Sequence, residues 1–304
     1  MGTHHHDHDH THISAHHRAF GIGIALNIVF VAVEAWYGWK ADSLALLADA
    51  GHNLSDVLGL VLAWLGMVIA RVRPDERYTY GRQRASILAA LLNALLLLAV
   101  VGGMAWEAVQ RFSHPTAIAG ETVIIVAAAG IVVNGVTAWL FMAGSHDDLN
   151  IRGAFLHMAG DALVSLGVVI GAFLYLQTDW LWLDPLLSLA IAVLILYATW
   201  DLLRQSLRLT FDGVPATIDL AAVREYLRTR PGVTAIHDLH IWAMSTSETA
   251  LTAHLLIPAG HPGDNFLHDL GQELHDRFDI DHATVQIEAG DTDRKCRLET
   301  HIAH

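Results

Sequence analysis

Apolar residues dominate roughly the first 210 positions and fall into six long blocks separated by short polar or turn-like stretches. The blocks cover roughly 19–39, 44–70, 85–110, 118–143, 150–177 and 182–209. Each is long enough for a helix to cross a bilayer core, which takes about 20 residues. The pattern predicts six transmembrane helices. The third and fourth blocks are the clearest, since Ser86–Trp106 and Thr122–Ala143 contain no charged residue. The second and fifth carry His and Asp inside the apolar run. Trp36, Tyr37, Trp39, Trp106, Trp180 and Trp182 sit near block ends, where amphipathic rings favour the membrane interface.

After about residue 212 the pattern changes. Pro215 and Asp219 open a helix over 218–229, which Pro231-Gly232 stops. Strand-like runs follow at 233–243 and 250–258. Phe266, Leu270, Leu274 and Phe278 recur at steps of four, predicting an amphipathic helix over 264–278, and 283–289 reads as a third strand. The order αββαβ gives a small α+β layer, ferredoxin-like, with helices on one face of the sheet. The expected organisation is a His-rich tail at 1–17, a six-helix transmembrane domain at 18–210, a soluble metal-binding and dimerisation domain at 211–290, and a terminal tail at 291–304.

Composition supports this division. The chain is 53% hydrophobic and only 16% charged, with a mean hydropathy of +0.39, too apolar for a soluble globular protein. A net charge of −13 argues against nucleic-acid binding. The single cysteine, Cys296, excludes an internal disulfide framework and a cysteine-based zinc finger. Basic residues cluster on one side: the 71–84 loop holds Arg71, Arg73, Arg77, Arg82 and Arg84, and Arg18, Arg152, Arg204 and Arg208 flank turns on that side. The other side offers Lys40 and Arg111, so the positive-inside rule puts both termini in the cytoplasm. No secretory signal is recognisable. Eight of the 21 histidines lie in the first 17 residues, and their alternation with Asp favours a native metal-binding tail over a plain purification tag.

The chemistry sits in two matching motifs. The second block contains His52 and Asp56, and the fifth contains His157 and Asp161, each an H-x-x-x-D. Residues four apart share a helix face, so each helix offers one imidazole and one carboxylate pointing the same way. If the faces meet, two nitrogens and two oxygens suit tetrahedral Zn²⁺. The set lacks thiolates for Cu(I) and is too nitrogen-rich for Mg²⁺ or Ca²⁺. An Asp at the bilayer centre costs about 2.5–3.5 kcal/mol on insertion scales, and two such residues need a purpose that a cation or protons supply. Asp49 reads as a partner of this face or an interfacial acid before it reads as a fifth ligand, and Asn53, Ser55 and Ser165 as supporting groups. Asn27, Asn93 and Asn134 read as interhelical hydrogen bonders first, with lining of the ion pathway as the alternative. Glu34, inside the first block, either faces an aqueous cavity or sits near the outer interface.

These residues resemble the cation diffusion facilitators, a family of divalent-metal/proton antiporters, over nearly all of 18–290. The resemblance is carried by Leu47 to Asp56, Tyr78-Thr79-Tyr80-Gly81-Arg82, His157-Met158-Ala159-Gly160-Asp161, His237-Asp238-Leu239-His240-Ile241-Trp242 and Thr284-Val285-Gln286-Ile287-Glu288. It implies a homodimer in a lipid bilayer and a transport site of His52, Asp56, His157 and Asp161, with two His and two Asp matching the zinc subgroup. It also implies cytosolic metal sites among His237, His240, His254, His268 and Glu288, and a pairing of Arg84 with Asp212. Positions 237 and 240 cannot share a face of a regular strand, because their separation is odd. His261, His275 and His282 read as surface residues. The loop stretch 77–82 lacks the histidines of a further site found in some members, and lone Cys296 gives no thiolate clamp.

The expected function is efflux of Zn²⁺, with Cd²⁺ or Co²⁺ as other cargo, in exchange for protons by alternating access, in a bacterial inner membrane. An intramembrane zinc enzyme is the first rival, but there is no H-E-x-x-H and four ligands leave no open position. A metal sensor without net transport is the second, and ligands at membrane depth argue against it.

Overall fold

A computed structural model describes residues 27–142 and 149–290. The His-rich tail, Arg18, Cys296 and the predicted terminal tail lie outside the described residues. Helix α1 is described over 27–40. It is followed by α2 (Leu44–Ala70), α3 (Ala85–Ser113), α4 (Gly120–Met142), α5 (Leu149–Thr178) and α6 (Leu183–Thr210). Five of these, α2 to α6, are long and apolar enough to cross a membrane, and the start of α1 falls outside the described residues. Then come α7 (Leu220–Arg228), β1 (Ala235–Ala243), β2 (Thr249–Leu256), α8 (Asp264–Phe278) and β3 (His282–Glu288). Apart from the start of α1, the bounds match the expected ones to within three residues.

The chain packs as two compact units: one takes residues up to Leu60 with Leu95–Thr199, the other Val61–Ala94 with the chain from Trp200 onward. In the first, small and medium apolar side chains (Ala45, Leu46, Ala48, Val101, Ala127, Val168) form the buried core. Large apolar side chains such as Ile125, Leu163 and Tyr197 face outward, as lipid-facing helices require. The start of α2 is held from two sides. Ser43 Oγ accepts from the Leu46 amide at 3.2 Å, and the buried Asp184 of α6 accepts from the Leu44 amide at 2.7 Å and from Ser43 Oγ at 2.5 Å. Helices α1, α5, α6 and α8 are each followed by an aspartate at positive φ: Asp42, Asp179, Asp212 and Asp279. Asp tolerates this left-handed turn better than most residues.

In the second unit, β2 is central, antiparallel to β1 and parallel to β3. Leu251, Ala253 and Leu255 of β2 pack with Val223 and Leu227 of α7 and Leu270 and Leu274 of α8, so both helices cover one face. The opposite face carries the alternating polar positions of the strands, among them His254, Gln286 and Glu288. Strand β1 is irregular: its register slips between His237, opposite His254, and His240, opposite Thr252. The surplus residue is Asp238, at φ 52°, which makes a β-bulge. The bulge absorbs the odd separation, so His237 and His240 do lie on one face. The expectation that they point oppositely assumed a regular strand.

Candidate metal centre

The H-x-x-x-D faces of α2 and α5 converge. His157 Nε2 lies 3.1 Å from Asp56 Oδ2 and 3.7 Å from Asp161 Oδ2. His52 Nε2 lies 3.4 Å from Asp161 Oδ1, and His52 Nδ1 lies 3.8 Å from Asp56 Oδ2. The two imidazoles stand edge to face, with centroids 6.0 Å apart. In a tetrahedral zinc site with bonds near 2.0–2.1 Å, ligand atoms sit about 3.3 Å apart. Asp56, His157 and Asp161 each place one ligand atom within 4.8 Å of the others, whereas His52 turns Nε2 to Asp161 and Nδ1 to Asp56, so no single nitrogen of His52 joins that group. Asp161 Oδ2 and His52 Nδ1 are buried without a hydrogen bond, which is how a ligand waiting for a cation looks. Access is one-sided: the Asp161 side chain is 3% exposed, whereas His157 is 41% exposed and Asp56 32%.

Behind the four residues lies a second, fully enclosed polar layer. Ser165, one turn beyond Asp161 on α5, donates to Asp49 Oδ2 at 2.8 Å, and Asn53 Nδ2 donates to Glu34 Oε2 at 3.3 Å. Glu34 and Asp49 are both 0% exposed. Glu34 therefore faces neither an aqueous cavity nor the outer interface, but the packed contact of α1 with α2. Close approach is helped by Gly130 on α4, where a Cβ would come within 2.8 Å of Phe30 and 3.0 Å of Ser165 Oγ. Asn27 reaches Met158 Sδ at 3.8 Å, whereas Asn134 is buried with neither amide atom hydrogen-bonded among the described residues.

The second unit holds a further cluster, His237, His254 and Glu288, with one ligand atom of each within 4.8 Å of the others. His237 Nε2 is 3.2 Å from Glu288 Oε2, and His254 Nδ1 is 3.0 Å from Glu288 Oε1. Burial alone would raise the Glu288 carboxyl. The adjoining charge of His237, its hydrogen bond, and further contributions from Gln286 and His254 outweigh this and hold it below the usual glutamate range. His240 shares the sheet face but not the cluster. It is exposed, lies 3.0 Å from Asp238 Oδ1, and lines a cavity of about 1080 Å³ with Tyr78, Arg82 and Trp242. His268 is exposed on α8, outside the cluster. Asp238, which the sequence reading did not single out, sits 3.6 Å from His254 Nε2. His261, His275 and His282 are exposed, the last with its ring edge on to Tyr80. Arg84 pairs with Asp212.

Apolar helices that place Asp56, His157 and Asp161 together with His52 beside them, followed in the chain by an α+β domain with its own His/Glu cluster, belong to an integral membrane cation transporter rather than an enzyme. The chain belongs to the cation diffusion facilitator family. The family model of the cation efflux transmembrane domain matches residues 21–209, and that of the cation efflux protein cytoplasmic domain matches 215–290. The chain is 38% identical over 272 residues to the metal cation efflux system protein CzcD of Cupriavidus metallidurans, covering 89% of this chain and 86% of the relative. It is 36% identical over 272 residues to the zinc transporter ZitB of Escherichia coli (89% and 85%). It is 34% identical over 264 residues to the cadmium, cobalt and zinc/H(+)-K(+) antiporter of Bacillus subtilis (85% and 85%). Among solved structures, the metal-bound C-terminal domain of CzcD is 43% identical, covers 23% of this chain and 99% of that one, and has a TM-score of 0.22.

Proposed function

We propose that this protein exports Zn²⁺ from the cytoplasm of a bacterium across the inner membrane, in exchange for protons, as a homodimer with both termini inside. His52, Asp56, His157 and Asp161 form the transport site. The observation that carries this reading is the meeting of the two H-x-x-x-D faces. To these four residues each helix contributes one imidazole and one carboxylate. Cd²⁺ and Co²⁺ accept the same donors and are further cargo. The names of the relatives, which include zinc, cadmium and cobalt, favour the same group of ions.

The ligands must be deprotonated to bind metal, so metal and protons compete for the site. In an inward-open state Zn²⁺ enters past His157 and Asp56, the exposed side of the cluster. Rocking of the helices turns the site outward, where protons take the imidazoles and displace the ion. His237, His254 and Glu288 form a regulatory metal site in the cytoplasmic domain. The test is zinc flux into proteoliposomes under an imposed proton gradient, wild type beside Asp56→Ala. Flux that follows the gradient and vanishes in the variant supports the proposal. A well-folded, inserted wild type without flux would leave the sensor reading in its place.

A further inference from the structure

Two acids of the transmembrane unit are left unused by a four-ligand transport site. Glu34 on α1 and Asp49 on α2 are fully buried and within hydrogen-bonding reach of each other. The protein gives this pair two donors, the Asn53 amide to Glu34 Oε2 and the Ser165 hydroxyl to Asp49 Oδ2. The remaining oxygens, Glu34 Oε1 and Asp49 Oδ1, are buried with no hydrogen bond. No Lys or Arg is paired with either acid among the described residues. Two bare carboxylates in such a place are prohibitive, and the missing positive charge must come from a cation. No imidazole completes a metal cluster with these two acids among the described residues, and both protein groups that touch them are donors, which a metal ion would repel. One proton held by the pair removes one of the two buried negative charges and leaves fewer buried oxygens without a partner.

We propose that Glu34 and Asp49 form a second ion-binding site, a carboxyl pair that holds one exchangeable proton and gives it up when metal occupies the neighbouring four-ligand site. The proposal rests on the metal/proton exchange reading above. Position supplies the coupling. Asp49 is three residues before His52, and Asn53 follows His52 directly. Ser165 is one turn beyond Asp161 on α5. Each side of the pair is therefore anchored within a turn of a metal ligand. The charged groups that act on the pair are His52 on α2 and Asp161 on α5. With the metal site empty, the Asp161 carboxylate opposes a second negative charge on the pair, and the proton stays. A divalent ion at Asp161 reverses the sign of the local field, and the proton leaves. The pair thus adds one proton to those displaced from the ligands themselves.

The test counts protons released per zinc bound by the purified full-length protein, by calorimetry in buffers of different ionisation enthalpy. Wild type is compared with the isosteric Glu34→Gln and Asp49→Asn. The expected result is retained zinc binding, weakened by about tenfold or more, and one proton fewer released in each variant. Unchanged proton release with intact zinc binding overturns the proposal. Loss of zinc binding by a folded Glu34→Gln protein also overturns it, because it makes Glu34 a ligand. If neither variant folds, the infrared difference spectrum of wild type on adding zinc decides. Loss of a protonated-carboxyl stretch supports the pair, and its absence overturns it. Zinc flux in wild-type vesicles tests the exchange reading separately, and a one-proton difference on binding supports the pair even if that flux ignores the proton gradient.

Discussion

His52 Nε2 on α2 lies 3.4 Å from Asp161 Oδ1 on α5, so the cluster is stitched between two helices rather than held on one. Removing a ligand from either helix leaves at most three donors. Asp161→Asn keeps the shape of the buried side chain and removes its charge. It is expected to lower zinc affinity by at least about 100-fold, more than loss of a merely supporting group costs, and to abolish flux. Calorimetry and vesicle flux on the same preparation check both.

In the proposed transport site, donor softness is expected to set selectivity. His52→Asp turns a two-nitrogen site into one with three carboxylates, and oxygen-rich sites suit harder ions such as Mn²⁺. The ratio of manganese to zinc flux is expected to rise at least about tenfold, an effect of roughly 1.4 kcal/mol in relative binding. An unchanged ratio would show that selectivity lies elsewhere.

The start of α2 depends on Asp184, which accepts from the Leu44 amide and from Ser43. Asp184→Ala orphans buried donors and is expected to destabilise the protein by about 1–2 kcal/mol, with Ser43→Ala costing about 1 kcal/mol or less. Detergent-phase thermal unfolding should rank them in that order, with zinc stoichiometry unchanged.

The proposed metal site of His237, His254 and Glu288 is separable from the proposed transport site. Glu288→Gln is expected to remove one class of bound zinc in equilibrium dialysis while the ligands on α2 and α5 keep theirs. If total zinc bound per chain stays at the wild-type value, His237 and His254 do not need the carboxylate.

Acid stability has a defined sign at the contact of α7 with α8. The Tyr226 hydroxyl donates to Glu273, and this bond, opposed by slight desolvation and aided by Arg230 and Arg277, holds the Glu273 carboxyl below the usual glutamate range. A depressed acid stabilises the fold above its unfolded pKa near 4.5, and that contribution is lost as pH falls through the folded value. On the alkaline side, burial and the same bond push the Tyr226 hydroxyl up to about 12, so its contribution is full below pH 10 and disappears as pH rises towards 12. Tyr226→Phe should flatten both limbs, read as unfolding temperature against pH.

Much of this was legible in the chain because its physics is periodic. A run of apolar residues fixes a membrane helix to within a few positions, and H-x-x-x-D fixes which two side chains share a face. That the faces of α2 and α5 meet is a property of packing, and only the repetition of the motif hinted at it. Glu34 was misplaced for the same reason. Hydropathy records that an acid lies in an apolar block, not whether water or Asn53 waits beside it. Asp238 escaped notice because strand reasoning counts in twos, and a residue in the left-handed region breaks the count.

That surplus residue has a consequence for how the soluble domain can vary. Asp238 has no partner across the ladder, so its side chain adjusts the charge beside His254 and His240 without carrying any of the sheet's pairing. Its φ of 52° suits Asn or Gly as well as Asp. The domain therefore has one position where the negative charge around its His/Glu cluster can be set independently of the scaffold that holds it.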